Sequence, residues 1–409
     1  MRPGPPSSME CDMKRRREWL VGGTLVTAIA ALAVGQAALG SPADQAEAVE
    51  VPIFEVDPLW PKPLPNHWVL GSTIGVGVDS RDHVFIVHRG NGDARTELGA
   101  AQDPPTGECC LPAPPVLEFD PEGNLINSWG GPSDEYTWPS SNHGITIDHK
   151  DNVWIGGNGQ GDSHILKFTR DGRFLMQIGE PGLDDPDSHS TERFGRVAKI
   201  SFDASANEAY LADGYRNKRV AVLNADTGEF LRYWGAYGNE PEDVDLGPYD
   251  PDAPLAQQFR NPVHCAEPAN DGLVYVCDRQ NDRLQVFRTD GTFVDEVRIA
   301  PRTLGDGSTW DIAFARDPEQ RFMYVADGKN MKVYVMDRRA LEILTSFGDG
   351  GRQPGQFYAV HSIATDSEGN IYTTETYEGK RVQKFVYRGM GTVTERDQGV
   401  VWPEGDSGG

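Results

Sequence analysis

The stretch His143-Gly-Ile-Thr-Ile-Asp148-His-Lys-Asp-Asn-Val153-Trp-Ile155 runs a short apolar strand into an Asp/Asn turn and out into a second apolar strand. Apolar residues alternating on both sides of such a turn are the pattern of an antiparallel hairpin. The same pattern returns in Ile74–Ile86, Ala198–Leu211, His264–Val276, Ile312–Val325 and His361–Tyr372. Six copies of one β unit predict an all-β protein, a six-bladed β-propeller, because closing the copies into a ring leaves no sheet edge open.

Each copy continues into an outer hairpin. Its turn is visible in Phe119–Leu125, Phe168–Phe174, Leu223–Phe230, Phe287–Phe293 and Met336–Leu341, and several copies end in an aromatic or Ile followed by Gly, as in Trp129-Gly130, Ile178-Gly179, Trp234-Gly235 and Phe347-Gly348. The sixth copy stops near Val386-Tyr387, one strand short, and Val51–Trp60 is expected to supply that strand. The inserts Asn91–Pro115, Gly182–Phe194 and Glu240–Gln258 read as surface loops. The expected organisation is an export signal or anchor in 1–40, a linker in 41–50, the propeller in 51–390 and a C-terminal tail in 391–409.

Lys14-Arg15-Arg16-Arg17 precedes an apolar, Ala- and Gly-rich stretch over 19–39. The pattern predicts a secretory signal of twin-arginine type and a periplasmic or secreted protein, or, if uncleaved, a membrane anchor of about 20 residues. A formal charge of −24 without a basic patch argues against nucleic acid as partner, and a monomer is expected. Five cysteines are too few for a disulfide scaffold. Cys265 and Cys277 stand about equally far from the Asn270-Asp271-Gly272 turn, so they either bridge or stay free and buried; Cys109-Cys110 lacks zinc-knuckle spacing.

His143, His264 and His361 share one register of the repeat, five residues before the turn positions Asp148, Ala269 and Asp366, while the odd copies carry Ile74, Ala198 and Ile312 there. Inner strands of alternate blades would bring the three imidazoles together at one height of the channel. Three neutral imidazoles with a fourth position open are the ligand set of a catalytic zinc. A single strand histidine is usually a hydrogen-bonded core residue; three in alternate copies predict a metal. His83, His149 and His189 fall in polar turns or loops and are expected to be solvated.

The six-fold pattern resembles NHL-repeat propellers. More narrowly, Val87-His88-Arg89-Gly90, Asn142-His143-Gly144-Ile145, Ala212-Asp213-Gly214-Tyr215, Pro262-Val263-His264, Asp278-Arg279 and Val360-His361 are similar to the successive motifs of peptidyl-α-hydroxyglycine α-amidating lyase, over roughly residues 68–386. The resemblance implies zinc on His143, His264 and His361, a catalytic Tyr215, and active-site arginines at Arg89 and Arg279. It further implies a structural calcium held partly through the backbone carbonyls of Val76 and Ile145, with an Asp directly after the last His. This chain has Ser362 at that position, and Ala359 where the family has Met.

The implied reaction is cleavage of an α-hydroxyglycine-ended amide or peptide into an amide and glyoxylate. Zinc would acidify the hydroxyl, Tyr215 would take its proton if the phenol's ordinary pKa near 10 were depressed, and the arginines would bind carboxylate. Other readings stay open. Tyr215 would simply pack in its turn, Arg279 would pair with Asp278, and the propeller would be a metal-dependent lactone or ester hydrolase or a non-catalytic binding module. Arg89 shows no local partner in the sequence.

Overall fold

The computed structural model describes residues 48–90 and 98–403. The signal or anchor expected in 1–40 lies outside them, and among the described residues no helix is long and apolar enough to cross a membrane. Val49–Val393, with the described residues from Asp397 to Pro403, form one compact unit. It contains six four-stranded antiparallel sheets, one for each repeat, so the chain is a six-bladed β-propeller.

The inner strands of blades 1 to 6 are Ser72–Val78, Asn142–Ile147, Val197–Asp203, Val263–Pro268, Asp311–Phe314 and Val360–Thr365. Each packs against the next, and the last returns to the first. Blade 6 is closed as the sequence suggested: Val49–Asp57 pairs antiparallel with Arg381–Val393, so one blade takes its outermost strand from the start of the ring and its inner three from the end.

The turn residues explain why the hairpins form where they do. Asp148 Oδ1 accepts the backbone N–H of Lys150 and of Asn152 at 2.8 and 2.9 Å, and Asp366 does the same for Glu368 and Asn370. Such an Asp satisfies the turn's own amides and fixes the register of both flanking strands. The outer hairpins are read by the neighbouring blade. A Cβ on Gly172 would lie 2.6 Å from the Trp129 ring, and one on Gly291 would lie 3.0 Å from the Trp234 ring. The aromatic ending one blade therefore stacks on the turn glycine of the next, which joins two signals that are separate in the sequence.

Two expectations change. Residues 391–393 continue the last strand, and residues 397–401 are fixed rather than a loose tail: Gln398 N–H donates to Ser346 O at 2.9 Å, Gly348 N–H to Gly399 O at 2.7 Å, and Val56 N–H to Val401 O at 2.8 Å. Val49 and Glu50, placed in the linker by the sequence, are strand residues. Cys265 and Cys277 face each other across the first two strands of blade 4 and are disulfide-bonded, which resolves the open pairing; Cys109 and Cys110 are bonded to each other.

Candidate metal centre

The registers of the inner strands shift by one residue at the channel mouth in five blades, next to Thr73, His143, Val197, Val263 and Val360. A bulge there re-aims the side chain from the sheet face toward the axis. His264 and His361 are themselves the unpaired residues, while in blade 2 it is Gly144, next to His143; the three ring centroids lie 4.8 to 5.2 Å apart. All three are buried, and one ligand atom from each falls within 4.8 Å of the others.

The odd blades hold the rings in place, a contribution that the repeat pattern did not reveal. His143 Nδ1–H donates to Ala198 O at 2.7 Å, His361 Nδ1–H to Ile74 O at 2.6 Å, and His264 Nδ1–H to Trp310 O. A carbonyl only accepts, so each Nδ1 carries the proton and each Nε2 lone pair is left for the axis. Burial is the main cause that pushes the pKa of all three below the ordinary imidazole value, His361 to about 3, with positive charge from Arg279 adding to it at each and from Arg89 at His143 and His361. Three buried neutral imidazoles presenting lone pairs to one point can hold a metal ion.

Tyr215 reaches the same point. Its hydroxyl lies 2.9 Å from His143 Nε2 and 3.1 Å from His264 Nε2, with one proton to offer the two. The preceding residues explain the reach. Asp213 accepts Gly195 N–H at 2.6 Å and Arg219 Nε–H at 2.8 Å, anchoring the end of its strand. A Cβ on Gly214 would lie 2.0 Å from Val263 O, so only glycine lets the turn pass this close to the His264 strand.

Arg279 Nη1 lies 3.4 Å from the Tyr215 hydroxyl, and its guanidinium sits 4.6 Å over the Trp310 ring. It does not pair with Asp278, which is taken by Arg283 at 2.8 Å; Arg279 Nη2 instead lies 3.9 Å from the Asp306 carboxylate. Arg89 has local partners that its sequence context did not show: Nη2 donates to Asn158 Oδ1 at 2.7 Å and Nε to Asn142 O at 3.3 Å. The structure thus gathers His143, His264, His361, Tyr215 and Arg279 in direct contact, with Arg89 beside them on the blade 1 edge.

The implied calcium does not fit. Val76 and Ile145 are buried on adjacent inner strands, but no carboxylate follows His361. Ser362 Oγ instead donates to Asp311 Oδ2 at 2.7 Å, and Asp311 Oδ1 accepts the Lys199 ammonium at 2.7 Å. Lys199 also meets Glu267 at 2.8 Å. Burial alone would lower the Lys199 pKa, but the charges of Asp311 and Glu267 outweigh it and hold the ammonium above its ordinary range.

Elsewhere, Asp79, His83 and Glu118 also approach one another as metal ligands would. Arg170 already supplies the cation there, with Nε 2.5 Å from Asp79 and Nη2 on Glu118 and His83, so His83 is engaged rather than solvated. His88 is wholly buried between Gly71 N–H, which donates to its Nδ1, and Pro114 O, which accepts from its Nε2. Burial lowers its pKa to about 4, the Pro114 bond opposing. As pH falls, the unfolded chain takes this proton first, so the contribution is complete above pH 6.5 and is lost between there and 4. Urea unfolding at pH 4.5 should therefore show the wild type losing about 2 kcal/mol more than His88→Gln relative to pH 7; equal losses would count against a neutral buried His88.

No protein-family model matches the chain. The peptidylglycine alpha-amidating monooxygenase of Rattus norvegicus is 24% identical over 343 residues, covering 80% of this chain and 31% of its own length. NHL repeat-containing protein 3 of Mus musculus is 25% identical over 358 residues, 83% of this chain and 85% of its own. A solved protein of unknown function from Bacteroides thetaiotaomicron VPI-5482 is similar at a TM-score of 0.49 and 14% identity, over 84% of this chain and 77% of that one. With its six four-stranded blades, the chain is a six-bladed β-propeller whose relatives include NHL repeat-containing protein 3 and the peptidylglycine α-amidating enzymes.

Proposed function

We propose that this protein is a zinc-dependent carbon–nitrogen lyase that splits α-hydroxyglycine-type amides into the amide and glyoxylate. The observation that carries the reading is the Tyr215 hydroxyl at 2.9 and 3.1 Å from two of three convergent imidazole Nε2 atoms, with Arg279 3.4 Å behind it. Zinc held by His143, His264 and His361 would supply a Lewis acid able to make a substrate hydroxyl acidic near neutral pH. The remaining work falls to the chain's own groups. Arg279 and Arg89 are the cations available to a substrate carboxylate, which a guanidinium binds through paired hydrogen bonds. Tyr215 Oη is the group placed to take the proton of the carbinol hydroxyl. As the C–N bond breaks, its electron pair leaves with nitrogen, the carbinol C–O becomes the aldehyde of glyoxylate, and nitrogen gains a proton to become the primary amide. Atoms and charge balance without a redox partner.

A protein outside the cytoplasm, periplasmic or secreted and monomeric, completes the reading. The Arg16-Arg17 signal pattern and the Cys265–Cys277 bridge support the location, since disulfides persist in oxidising compartments.

The test is glyoxylate release from an N-acyl-α-hydroxyglycine by zinc-loaded protein, with a chelated sample alongside. Release that the chelator removes and zinc restores is the expected result. Protein shown to hold zinc yet releasing no glyoxylate would refute the lyase, and protein that binds no zinc would refute the site.

A further inference from the structure

Directly behind the three histidines the channel holds a buried group that the proposed reaction does not use. Lys199 of blade 3 bonds Asp311 of blade 5 at 2.7 Å and Glu267 of blade 4 at 2.8 Å. Asp311 in turn takes Ser362 Oγ at 2.7 Å and Ile363 N–H at 3.0 Å from blade 6. Ser201 Oγ donates to Glu267 at 2.6 Å. One ammonium and two carboxylates therefore tie four blades at one level of the axis.

We propose that Lys199 is the structural cation of this channel: its ammonium holds blades 3 to 6 together where a divalent ion would otherwise bridge carboxylates, and the propeller takes no calcium. Asp311 has no coordination left to give. Its Oδ1 accepts Lys199 and Ile312 N–H, and its Oδ2 accepts Ser362 and Ile363, which fills the roughly four lone-pair directions of a carboxylate. A divalent ion could enter only by expelling the ammonium, which its tether to the chain holds at a high local concentration that a free ion must match. The members also adjoin the metal centre in sequence. Lys199 follows Ala198 and Asp311 follows Trp310, the carbonyl partners of His143 and His264, while Ser362 follows His361. The inference rests on these contacts and holds whether or not the site above is a lyase.

Calcium content and thermal unfolding of the full chain decide it. The wild type should retain no calcium after gel filtration, and its Tm should move by less than about 1 °C between millimolar calcium and EGTA. One calcium per chain, or a Tm that calcium raises, would overturn the proposal. Lys199→Met leaves Asp311 and Glu267 as a buried, uncompensated pair. That variant should melt below the wild type, and calcium should raise its Tm by about 5 °C. A variant that melts like the wild type and ignores calcium would also overturn it. If Lys199→Met does not fold, the wild-type calcium measurement stands alone as the deciding result. Zinc content, read in the same samples, separates failure here from failure of the three-histidine site.

Discussion

His264→Ala should lose the metal and with it all glyoxylate release, while the propeller stays folded. The three imidazoles are equivalent by construction, one from each even blade, each with its Nδ1–H committed to a carbonyl of the next blade. Removing one leaves two neutral ligands and an open channel. Losing a ligand should exceed the roughly 10–100-fold fall in affinity that follows loss of an outer hydrogen-bond partner. The structural cost is smaller. Trp310 O loses a donor, at about 1–3 kcal/mol, and a ring-sized void opens beside Trp310, while all six sheets keep their ladders. Metal analysis after dialysis, with circular dichroism on the same sample, checks both halves. A full zinc complement in the folded variant would remove His264 from the site.

Tyr215→Phe should retain its zinc and its fold and lose about 10²–10⁴ of kcat, the usual worth of a positioned acid–base group. The change deletes one atom. The ring still packs against His143 and His264 at centroid distances of 5.0 and 5.8 Å and still lies under the Arg279 guanidinium at 5.8 Å. Only Oη and its hydrogen bonds go. A tyrosine that merely fills space would therefore survive the substitution with its rate intact. Single-turnover measurements on zinc-matched samples separate the two, because KM should stay near the wild-type value while the chemical step slows. Unchanged turnover would exclude Tyr215 as the base.

Much of this arrangement was legible from the sequence because it repeats. The register of His143, His264 and His361 is visible once the Asp148 and Asp366 turns are aligned, and an inner strand's periodicity then dictates that equal positions share a height. The hairpin-turn glycines and the Trp129 and Trp234 endings were visible too, although their stacking on each other was not. What escaped was contact that the repeat does not encode. The carbonyls of Ile74, Ala198 and Trp310 carry no side-chain signature, since any residue supplies a carbonyl. Lys199 and Asp311 lie in different blades, and nothing local links a lysine to a carboxylate more than a hundred positions away. Arg89 looked unpartnered because Asn158 comes from the next blade. The five bulges depend on how strands pair, which composition does not report.

The way blade 6 is assembled bears on how this protein is made. Its outermost strand, Val49–Asp57, emerges from the ribosome before any other part of the ring, yet its partner ends at Val393. The first strand must wait with an unpaired edge while five blades are synthesised, and the loop that closes the circle spans nearly the whole propeller, so its entropy is met in a single late step. A nascent chain interrupted before that point would expose two open strand edges, a surface prone to pairing with other chains. Pairing of the first strand with Arg381–Val393 is therefore the last join that synthesis of the ring makes possible, and until it forms both strands present unpaired edges.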